Sequence, residues 1–448
     1  MSDPPRKIRL GAFISGSGHH VAAWRHPEAQ ADGRFNFKHL RRVTETAERG
    51  LFDAVFLADG LAAQSRSGAE GRQPFQGGFE PVTLFSALSA VTEHIGFIAT
   101  ASTTYEDPYI LARKFASLDL LSEGRAAWNV VTTGGPQAAG NFGLSEHPVH
   151  ATRYERAREF IDVVKGLWDS WEDDAFTLDK ATGWYYDPEK VHELNHQGAH
   201  LSVRGPLNVP RPVQGHPVIV QAGASEDGRD FAAQSAEVIF TAQPTFEDAQ
   251  AFYRDVKGRL AAYGRRPEQL KIMPGVFPVV GRTEAEASAK FQALQDLILP
   301  EVGLALLSSL AGNFDLSKYP VDGPLPELPE TNNNKSRQAL MFDIARKQKL
   351  TIRDLYLSIA GARGHWQIVG TPVSIADQLQ RWFENEAADG FNVMPPIMPG
   401  GLDDFVQLVV PELQRRGLFR TEYEGKTLRE NLGLERPLNR FAAKRQAA

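Results

Sequence analysis

The chain of 448 residues contains no cysteine, which excludes several kinds of chemistry. Without a thiol there is no disulfide, thiolate metal ligand, iron–sulfur cluster or cysteine nucleophile. Long apolar runs are also lacking, whereas a membrane span needs about 18 to 20 consecutive apolar residues. The first residues, MSDPPRKIRLGAFISG, hold only a strand-length apolar run, too short for a signal-peptide core. We therefore expect a cytoplasmic protein that contacts no membrane.

An excess of positive charge is lacking as well. The formal net charge is -6 and the pI is about 6.1, so the chain has no basic surplus of the kind that nucleic-acid binding needs. The composition, 42% hydrophobic and 23% charged, is that of a globular protein with a sizeable core. We expect small-molecule or protein partners and no nucleic acid.

Short apolar runs alternate with amphipathic segments along the chain, and this alternation predicts the fold. Near-continuous apolar runs are typical of parallel strands covered on both faces, and eight such strands close a barrel. The alternative, an open doubly wound sheet, usually carries a G-x-G-x-x-G turn after its first strand, and GSGHHVAAWRHP lacks that motif. We predict a (β/α)8 TIM barrel whose strands begin near Ile8, Ala54, Ile95, Arg125, Pro217, Ala236, Ile272 and Phe391.

Two long segments interrupt the alternation. Residues 174–215 carry aromatics, prolines and short alternating runs, typical of an inserted hairpin, and residues 296–350 mix an apolar helix with a proline-rich stretch. Loops of this length are more often lids or binding elements than accidents. The basic arm at 412–448 is interpreted either as a solvated tail or as a subunit contact. We predict a single domain, 1–448, with two insertions and this C-terminal arm.

In a parallel barrel the functional side chains lie where the strands end. Asp59 closes the second predicted strand, where a carboxylate is costly unless it is hydrogen-bonded or faces a ligand. A turn cap is the alternative interpretation. Thr103 and Asn129 end the third and fourth strands, and neutral donors and acceptors of this kind suit a flat heteroaromatic ring better than a metal. We predict no metal site.

Helix N-termini are predicted after the fourth and fifth strands. In HPVHATRYERAREF, Thr152 begins a T-x-x-E capping box, which would make it the N-cap. His150 and Tyr154 would then lie where backbone N–H groups and the helix dipole favour an anion. After the fifth strand, the small Ala224 permits close backbone approach, and the Ser225 hydroxyl could hold a phosphate. A plain N-cap is the alternative for Ser225.

The candidate substrate pocket is more aromatic than charged. This favours an apolar or sulfone-like substrate over a tricarboxylate, which would want several arginines. Core packing is the alternative for the three phenylalanines among the candidates. The candidates are Phe13, Phe56, Trp184, Phe240 and His365.

Several long motifs resemble those of the bacterial luciferase-like flavin monooxygenases. The resemblance is closest to the nitrilotriacetate and dibenzothiophene-sulfone monooxygenase branch, and it runs from about Ile8 to about Leu434. The motifs are LADG, TASTTYEDPYILARKFASLDLLSEGRAAWNVVTT, HATRYERAREF, GASEDGRDFAA, GTPVSIADQL and VVPELQRRGLFRTEYEGKTLRENLGL.

The resemblance implies a barrel that binds reduced FMN supplied by a separate NAD(P)H:flavin reductase. With O2 as co-substrate, the enzyme would oxygenate a small organic sulfur or nitrogen compound, often beginning the cleavage of a C–S or C–N bond. The cofactor carries this chemistry, so the protein need only position it and shape the pocket. We expect a homodimer or homotetramer. The resemblance implies FMN contacts at Asp59, Thr103, His150, Tyr154 and Ser225, with Ala224 and Asn129 as neighbours, and it makes His20 the candidate for handling oxygen or substrate.

Three other interpretations stay open. A metal-dependent barrel hydrolase would use His19, His20, His147 and His150, although 12 histidines make chance pairs common. A luciferase-like oxidoreductase using a deazaflavin would transfer hydride on the same barrel. A flavin-binding protein without turnover would bind flavin and consume no oxygen.

Overall fold

The computed structural model describes residues 6–63, 69, 71–74, 77–331 and 335–447. Within the predicted single domain, residues 332–334 of the second insertion and residue 448 of the C-terminal arm lie outside the described residues.

Eight parallel strands form a closed ring, which confirms the predicted barrel. The ring order is β1, β2, β3, β4, β7, β8, β9 and β11, and β11 pairs again with β1. All eight predicted barrel strands are confirmed. The strands are β1 (Arg9–Phe13), β2 (Ala54–Leu57), β3 (Gly96–Ser102), β4 (Ala126–Val131), β5 (His196–Gln197), β6 (Ser202–Val203), β7 (Val218–Gln221), β8 (Val238–Thr241), β9 (Lys271–Val280), β10 (Trp366–Gly370) and β11 (Gly390–Val393).

Helices cover the outside of the ring and fill the connections between strands. The α-helices are α1 (Phe37–Arg49), α2 (Pro81–Ser89), α3 (Pro108–Leu121), α4 (His150–Trp168), α5 (Glu226–Ser235), α6 (Phe246–Arg259), α7 (Glu284–Asp296), α8 (Pro300–Leu310), α9 (Lys335–Gln348), α10 (Ile352–Ile359), α11 (Pro372–Glu384), α12 (Gly400–Asp404), α13 (Val410–Arg415), α14 (Leu428–Asn431) and α15 (Arg440–Ala447). A π-helical turn spans Phe405–Val409, and 3₁₀ turns span Ala23–Arg25, Pro136–Phe142, Pro188–Lys190, Leu260–Tyr263, Pro267–Gln269 and Leu316–Lys318.

Both faces of the barrel strands are buried, which explains their near-continuous apolar runs. Val55 and Phe97 pack outward against the helices, whereas their neighbours Phe56 and Ile98 fill the barrel interior. A strand of this kind leaves no face for solvent, as expected of a parallel barrel.

One strand was not predicted. In β10, residues Trp366 to Gly370 pair with the second half of β9, from Val276 to Val280, outside the closed ring. The ten residues of β9 therefore serve two pairings: the first part closes the barrel, and the second part supports β10.

The two insertions lie at opposite ends of the barrel. Residues 174–215 follow the C-terminal end of α4, and the main chains of Ser170 and His192 hydrogen-bond there at 2.8 Å. Since α4 runs away from the end of β4, this segment lies at the amino ends of the strands. The second insertion lies at the carboxyl ends, where the guanidinium group of Arg25, in the loop after β1, donates to Leu297 O.

The C-terminal arm closes the bottom of the barrel. Leu428, Leu432 and Leu434 pack with the side chains of the barrel interior, so the interpretation as a solvated tail is wrong for this part of the arm. Arg420 is 1% exposed and pairs with the equally buried Asp53 at 2.5 Å. The arm therefore belongs to the core of its own chain.

A second buried ion pair at the bottom gives a pH-dependent prediction. Burial alone would raise the pKa of Glu237, but Arg429 binds both carboxylate oxygens and, with Lys165, holds that pKa at about 2. The stabilisation is complete above the unfolded pKa of about 4.5 and is lost as pH falls toward 2. We expect Glu237→Gln to lower the free energy of unfolding at pH 7 by about 3 kcal/mol, and this gap to shrink below pH 4.5.

Urea unfolding of both proteins between pH 7 and pH 3.5 measures that gap. The exposed Glu268 supplies the control, since Glu268→Gln should give a small difference that does not change with pH. A Glu237→Gln gap that stayed constant down to pH 3.5 would contradict the assigned role of the ion pair.

Among the described residues, no single helix has the length and apolar character needed to cross a membrane; α7 and α8 pass such a test only together, as a pair bent by 92°.

Candidate active site

Two helix N-termini lie side by side at the carboxyl ends of β4 and β7. The first, α4, begins at His150, and its N-cap Val149 offers no side chain to accept a hydrogen bond. The predicted capping box is therefore wrong: the first turn closes earlier, where Arg153 N donates to Val149 O at 3.1 Å, so Thr152 lies inside the helix. The N–H groups at the start of α4 are left without a side-chain cap, which suits an anion.

The second N-terminus belongs to α5, and Ser225 is its N-cap as predicted. The hydroxyl of Ser225 accepts from Gly228 N at 3.2 Å. His150 Nδ1 lies 3.3 Å from the Asp227 carboxylate in the first turn of α5, and the ring of Tyr154 lies 4.8 Å from the His150 ring. His150, Tyr154 and Ser225 are thus brought together in one patch.

The barrel wall beside this patch carries buried polar groups. Thr103 is fully buried, and its Oγ1 donates to Val131 O at 3.3 Å. Asn129 donates from Nδ2 to Thr100 Oγ1 at 2.8 Å, but its buried Oδ1 has no partner among the described residues. Gln221, at the end of β7, likewise keeps a buried Oε1 without a partner in that part of the chain. Unsatisfied buried acceptors are costly and indicate a place where a ligand donates a hydrogen bond.

Asp59 lies at the rim beyond β2 and is exposed. Protein packed around its carboxyl group raises the pKa, and the nearby Glu80 and Glu106 act in the same direction. A carboxyl group with this character can exchange hydrogen bonds with a polar ligand placed over the barrel mouth.

An aromatic cluster lies at the centre of the barrel mouth, where Phe56 and Phe240 are buried. The Phe13 ring packs edge-on against Phe56 at 4.7 Å and Phe240 at 5.5 Å between centroids, and His365 stacks on Phe240 at 4.9 Å. Four of the five predicted pocket residues therefore lie together.

Trp184 lies outside this cluster, so the prediction that its side chain contacts substrate is corrected. Its side chain is 59% exposed, and its main-chain oxygen accepts from Asp179 N at 2.8 Å within the first insertion. From the sequence we expected that insertion to lie at the active site. In the structure, α4 leads away from the carboxyl ends of the strands, so the insertion lies at their amino ends.

Two neighbouring histidines after β1 have different surroundings. His20 accepts from Ala22 N at Nδ1 and reaches Gln295 Oε1 from Nε2 at 3.1 Å, so both ring nitrogens serve the packing of the loop and α7. His19 packs against Phe13 at 4.4 Å and donates from Nε2 to Phe13 O at 2.8 Å, and its buried Nδ1 has no partner within the described ranges. The role of His20 in handling oxygen or substrate stays a prediction, and His19 is the neighbour whose ring packs against Phe13.

Burial keeps both of these histidines neutral. It lowers the pKa of His19 to about 3, with the charge of Arg363 as the next cause, and lowers the pKa of His20 to about 4. A neutral His19 presents a lone pair at Nδ1 to the pocket.

In the described part of the chain, no group of three or more His, Asp and Glu side chains is arranged to hold an ion. The His147 ring instead bonds Tyr105 Oη through Nδ1 at 2.7 Å.

Comparison with known proteins identifies the family. The family model described as luciferase-like monooxygenase matches residues 17–389. The chain belongs to the luciferase-like monooxygenase family. It is 53% identical to the N-acetyl-S-(2-succino)cysteine monooxygenase of Bacillus subtilis (strain 168), over 99% of this chain and 100% of that protein. It is 52% identical to nitrilotriacetate monooxygenase component A of Aminobacter aminovorans, over 98% of each chain.

Among solved structures, the monooxygenase superposes on riboflavin lyase, crystallised with modified FMN and riboflavin, with a TM-score of 0.88. The two chains are 33% identical, and the match covers 97% of each. The protein is thus an oxidoreductase, and monooxygenases of this branch use reduced FMN and O2.

The residues of the monooxygenase fit a flavin mononucleotide. The uncapped start of α4 and the Ser225 turn suit its phosphate, and the unpartnered Asn129 Oδ1 and Gln221 Oε1 suit N–H donors. When bound, the flavin supplies the reducing equivalents that oxygen chemistry needs.

Sequence inspection named His19 only for the metal-dependent alternative, and it missed Gln221. His19 is adjacent to the predicted His20, and the alternation of β1 gave no means of deciding which ring turns inward beyond the strand end. Gln221 ends an apolar strand, and a polar residue in that position is the signal that could have drawn attention to it.

Proposed function

We propose that the protein is the oxygenating component of a two-component monooxygenase. It would take reduced FMN from a separate NAD(P)H:flavin reductase and use O2 to oxygenate a small organic sulfur or nitrogen compound. The observation that carries this proposal is the pair of adjacent helix N-termini, at His150 and Ser225, beside the aromatic cluster of Phe13, Phe56 and Phe240. The names of the two relatives above, a sulfur-compound monooxygenase and a nitrogen-compound monooxygenase, support the substrate class.

Each part of the site has a physical role in this reaction. The α4 and α5 N-termini hold the phosphate, with His150 oriented by Asp227. Thr103, Asn129 and Asp59 would contact the ring of the flavin. The rings of Phe13, Phe56 and Phe240 exclude water from the pocket, which protects reactive oxygen species bound there from premature loss.

A reduced-flavin assay tests the proposal and separates it from hydride transfer by a deazaflavin. Purified protein is supplied with photoreduced FMN, or with FMN, NADH and an independent flavin reductase, in the presence of a panel of thioethers, sulfones and tertiary amines. We expect O2 uptake coupled to product, with one ¹⁸O atom from ¹⁸O2 in the product, and no product from oxidised FMN alone.

Two results would contradict the proposal. One is product formation under strict anaerobiosis with a reduced deazaflavin, which would identify a hydride-transfer enzyme. The other is tight binding of reduced FMN with no coupled product from any member of the panel, which would favour a flavin-binding protein without turnover.

A further inference from the structure

Gly275 lies on β9 at the point where the wall of the barrel changes. The strand β8 pairs with β9 as far as Pro274, whereas β10 pairs with β9 from Val276 onward. Since β11 occupies the other edge of β9, the strands β8 and β10 share one edge at successive heights. His365, one residue before β10, is buried at this junction.

A side chain at position 275 would meet two aromatic rings. Its first carbon would lie 2.3 Å from His365 Nδ1, 2.8 Å from Phe240 Cε2 and 2.9 Å from Met394 Sδ. Gly275 is part of a β-strand and does not have the positive φ that favours glycine, so its backbone suits alanine as well. The glycine at this position is therefore explained by lack of space.

The two rings next to Gly275 are held in place. Arg337, on α9 of the second insertion, donates from Nη2 to His365 Nε2 at 2.8 Å, and the His365 ring stacks on Phe240 with an interplanar angle of 9°. The Phe240 ring in turn contacts Phe13 and Phe56, at 5.5 and 5.3 Å between centroids. The flexible methionine can move aside, but a side chain on β9 here must push both rings toward the barrel axis.

His365 presents an uncharged ring to the aromatic cluster. Burial and the charge of Arg337 lower the pKa of His365 well below its usual value, so the ring is neutral at pH 7. A guanidinium group only donates hydrogen bonds, so Nε2 carries the lone pair and the proton lies on Nδ1. The wall formed by His365 and Phe240 therefore suits an uncharged alkyl or aryl group.

We propose that Gly275 determines the size of the uncharged group that the substrate places against the aromatic cluster. The inference rests on the proposed function, in which the sulfur or nitrogen atom of the substrate would carry this group. With only hydrogen at position 275, His365 and Phe240 lie close to β9 and leave room for the group. A methyl group at this position moves both rings toward the substrate, so larger groups no longer fit.

Calorimetric titration of the full-length protein with uncharged sulfones of increasing size tests the inference. The probes are dimethyl sulfone, methyl propyl sulfone and benzyl methyl sulfone. We expect the wild type to bind the benzyl compound most tightly. Gly275→Ala should weaken binding of the benzyl compound at least about tenfold and change that of dimethyl sulfone less than about twofold.

Replacing His365 tests whether the loss arises from the contact between position 275 and this ring. In the His365→Ala background the clash is absent, so adding Gly275→Ala should change the affinity for the benzyl compound less than about threefold. His365→Ala alone should also bind naphthylmethyl methyl sulfone at least about fivefold more tightly than the wild type does. This second expectation holds whether or not Gly275→Ala folds.

Gly96→Ala is the matched control, because Gly96 is also a strand glycine without space for a side chain. Its first side-chain carbon would lie 2.6 Å from Leu428 Cδ1, at the amino ends of the strands. This variant should be less stable in urea but bind the three sulfones in the same order as the wild type. Gly275→Ala should keep the affinity of the wild type for reduced FMN.

The inference fails if Gly275→Ala weakens binding of all three sulfones by the same factor, or if the wild type does not distinguish them. It also fails if the loss persists in the His365→Ala background, or if His365→Ala binds the naphthyl compound no better than the wild type. A protein that oxygenates thioethers with unchanged size selectivity in Gly275→Ala keeps the proposed function and loses this inference. A protein that binds the sulfones by size but oxygenates nothing with reduced FMN loses the proposed function alone.

Discussion

The double variant His150→Ala, Ser225→Ala should bind reduced FMN about 100-fold more weakly than the wild type. Both side chains lie at helix N-termini that face one place, and each would give one hydrogen bond to the phosphate dianion. A hydrogen bond to a charged group contributes about 1.5 kcal/mol or more, so two bonds correspond to about 3 kcal/mol. Calorimetric titration with reduced FMN under anaerobic conditions measures the change in affinity.

The control for this double variant must separate loss of a helix cap from loss of a ligand contact. Thr283 caps α7 as Ser225 caps α5, with its side chain accepting from Glu286 N at 3.1 Å. Thr283→Ala and Ser225→Ala should each lower stability by about 1 kcal/mol. FMN affinity should fall only for the second, and equal affinities in the wild type and the double variant would remove the phosphate site from these helices.

The barrel was predictable because its signal is local and repeated. Each buried strand is a short apolar run followed by an amphipathic helix, so eight independent segments pointed to the same fold, and all eight strands are confirmed. The strand β10 was not predicted, although WQIVG is a short apolar run like the others. It pairs outside the ring, with an extension of β9. Pairing of this kind depends on tertiary context that periodicity does not contain.

The candidate site was only partly predictable, for a related reason. Residues at strand ends could be assigned to the mouth of the barrel from the fold alone, and His150, Tyr154 and Ser225 do lie in one patch. The start of α4 was misplaced because a capping-box spacing can occur inside a helix whose first turn closes earlier. The prediction for Trp184 assumed that a long insertion belongs at the active site, and the direction of α4 decides otherwise.

Replacing Arg420 should have the largest effect on stability. Arg420→Ala leaves the Asp53 carboxylate, 1% exposed, without its guanidinium partner, although Leu10 N still donates to it at 2.7 Å. Breaking a buried ion pair from one side costs about 3–5 kcal/mol, because the remaining charge stays buried without compensation. Urea unfolding at pH 7 should show this loss as a lower midpoint with a similar slope.

The exposed pair between Arg415 and Glu412 provides the comparison, since Arg415 is 70% exposed and solvent screens its charge. Arg415→Ala should leave the unfolding midpoint close to that of the wild type. The double variant Arg420→Met, Asp53→Asn should recover much of the loss, because the amide can still accept from Leu10 N and no buried charge remains. If the double variant is no more stable than Arg420→Ala, the loss comes from the missing contacts of the Arg420 side chain and not from an uncompensated charge on Asp53.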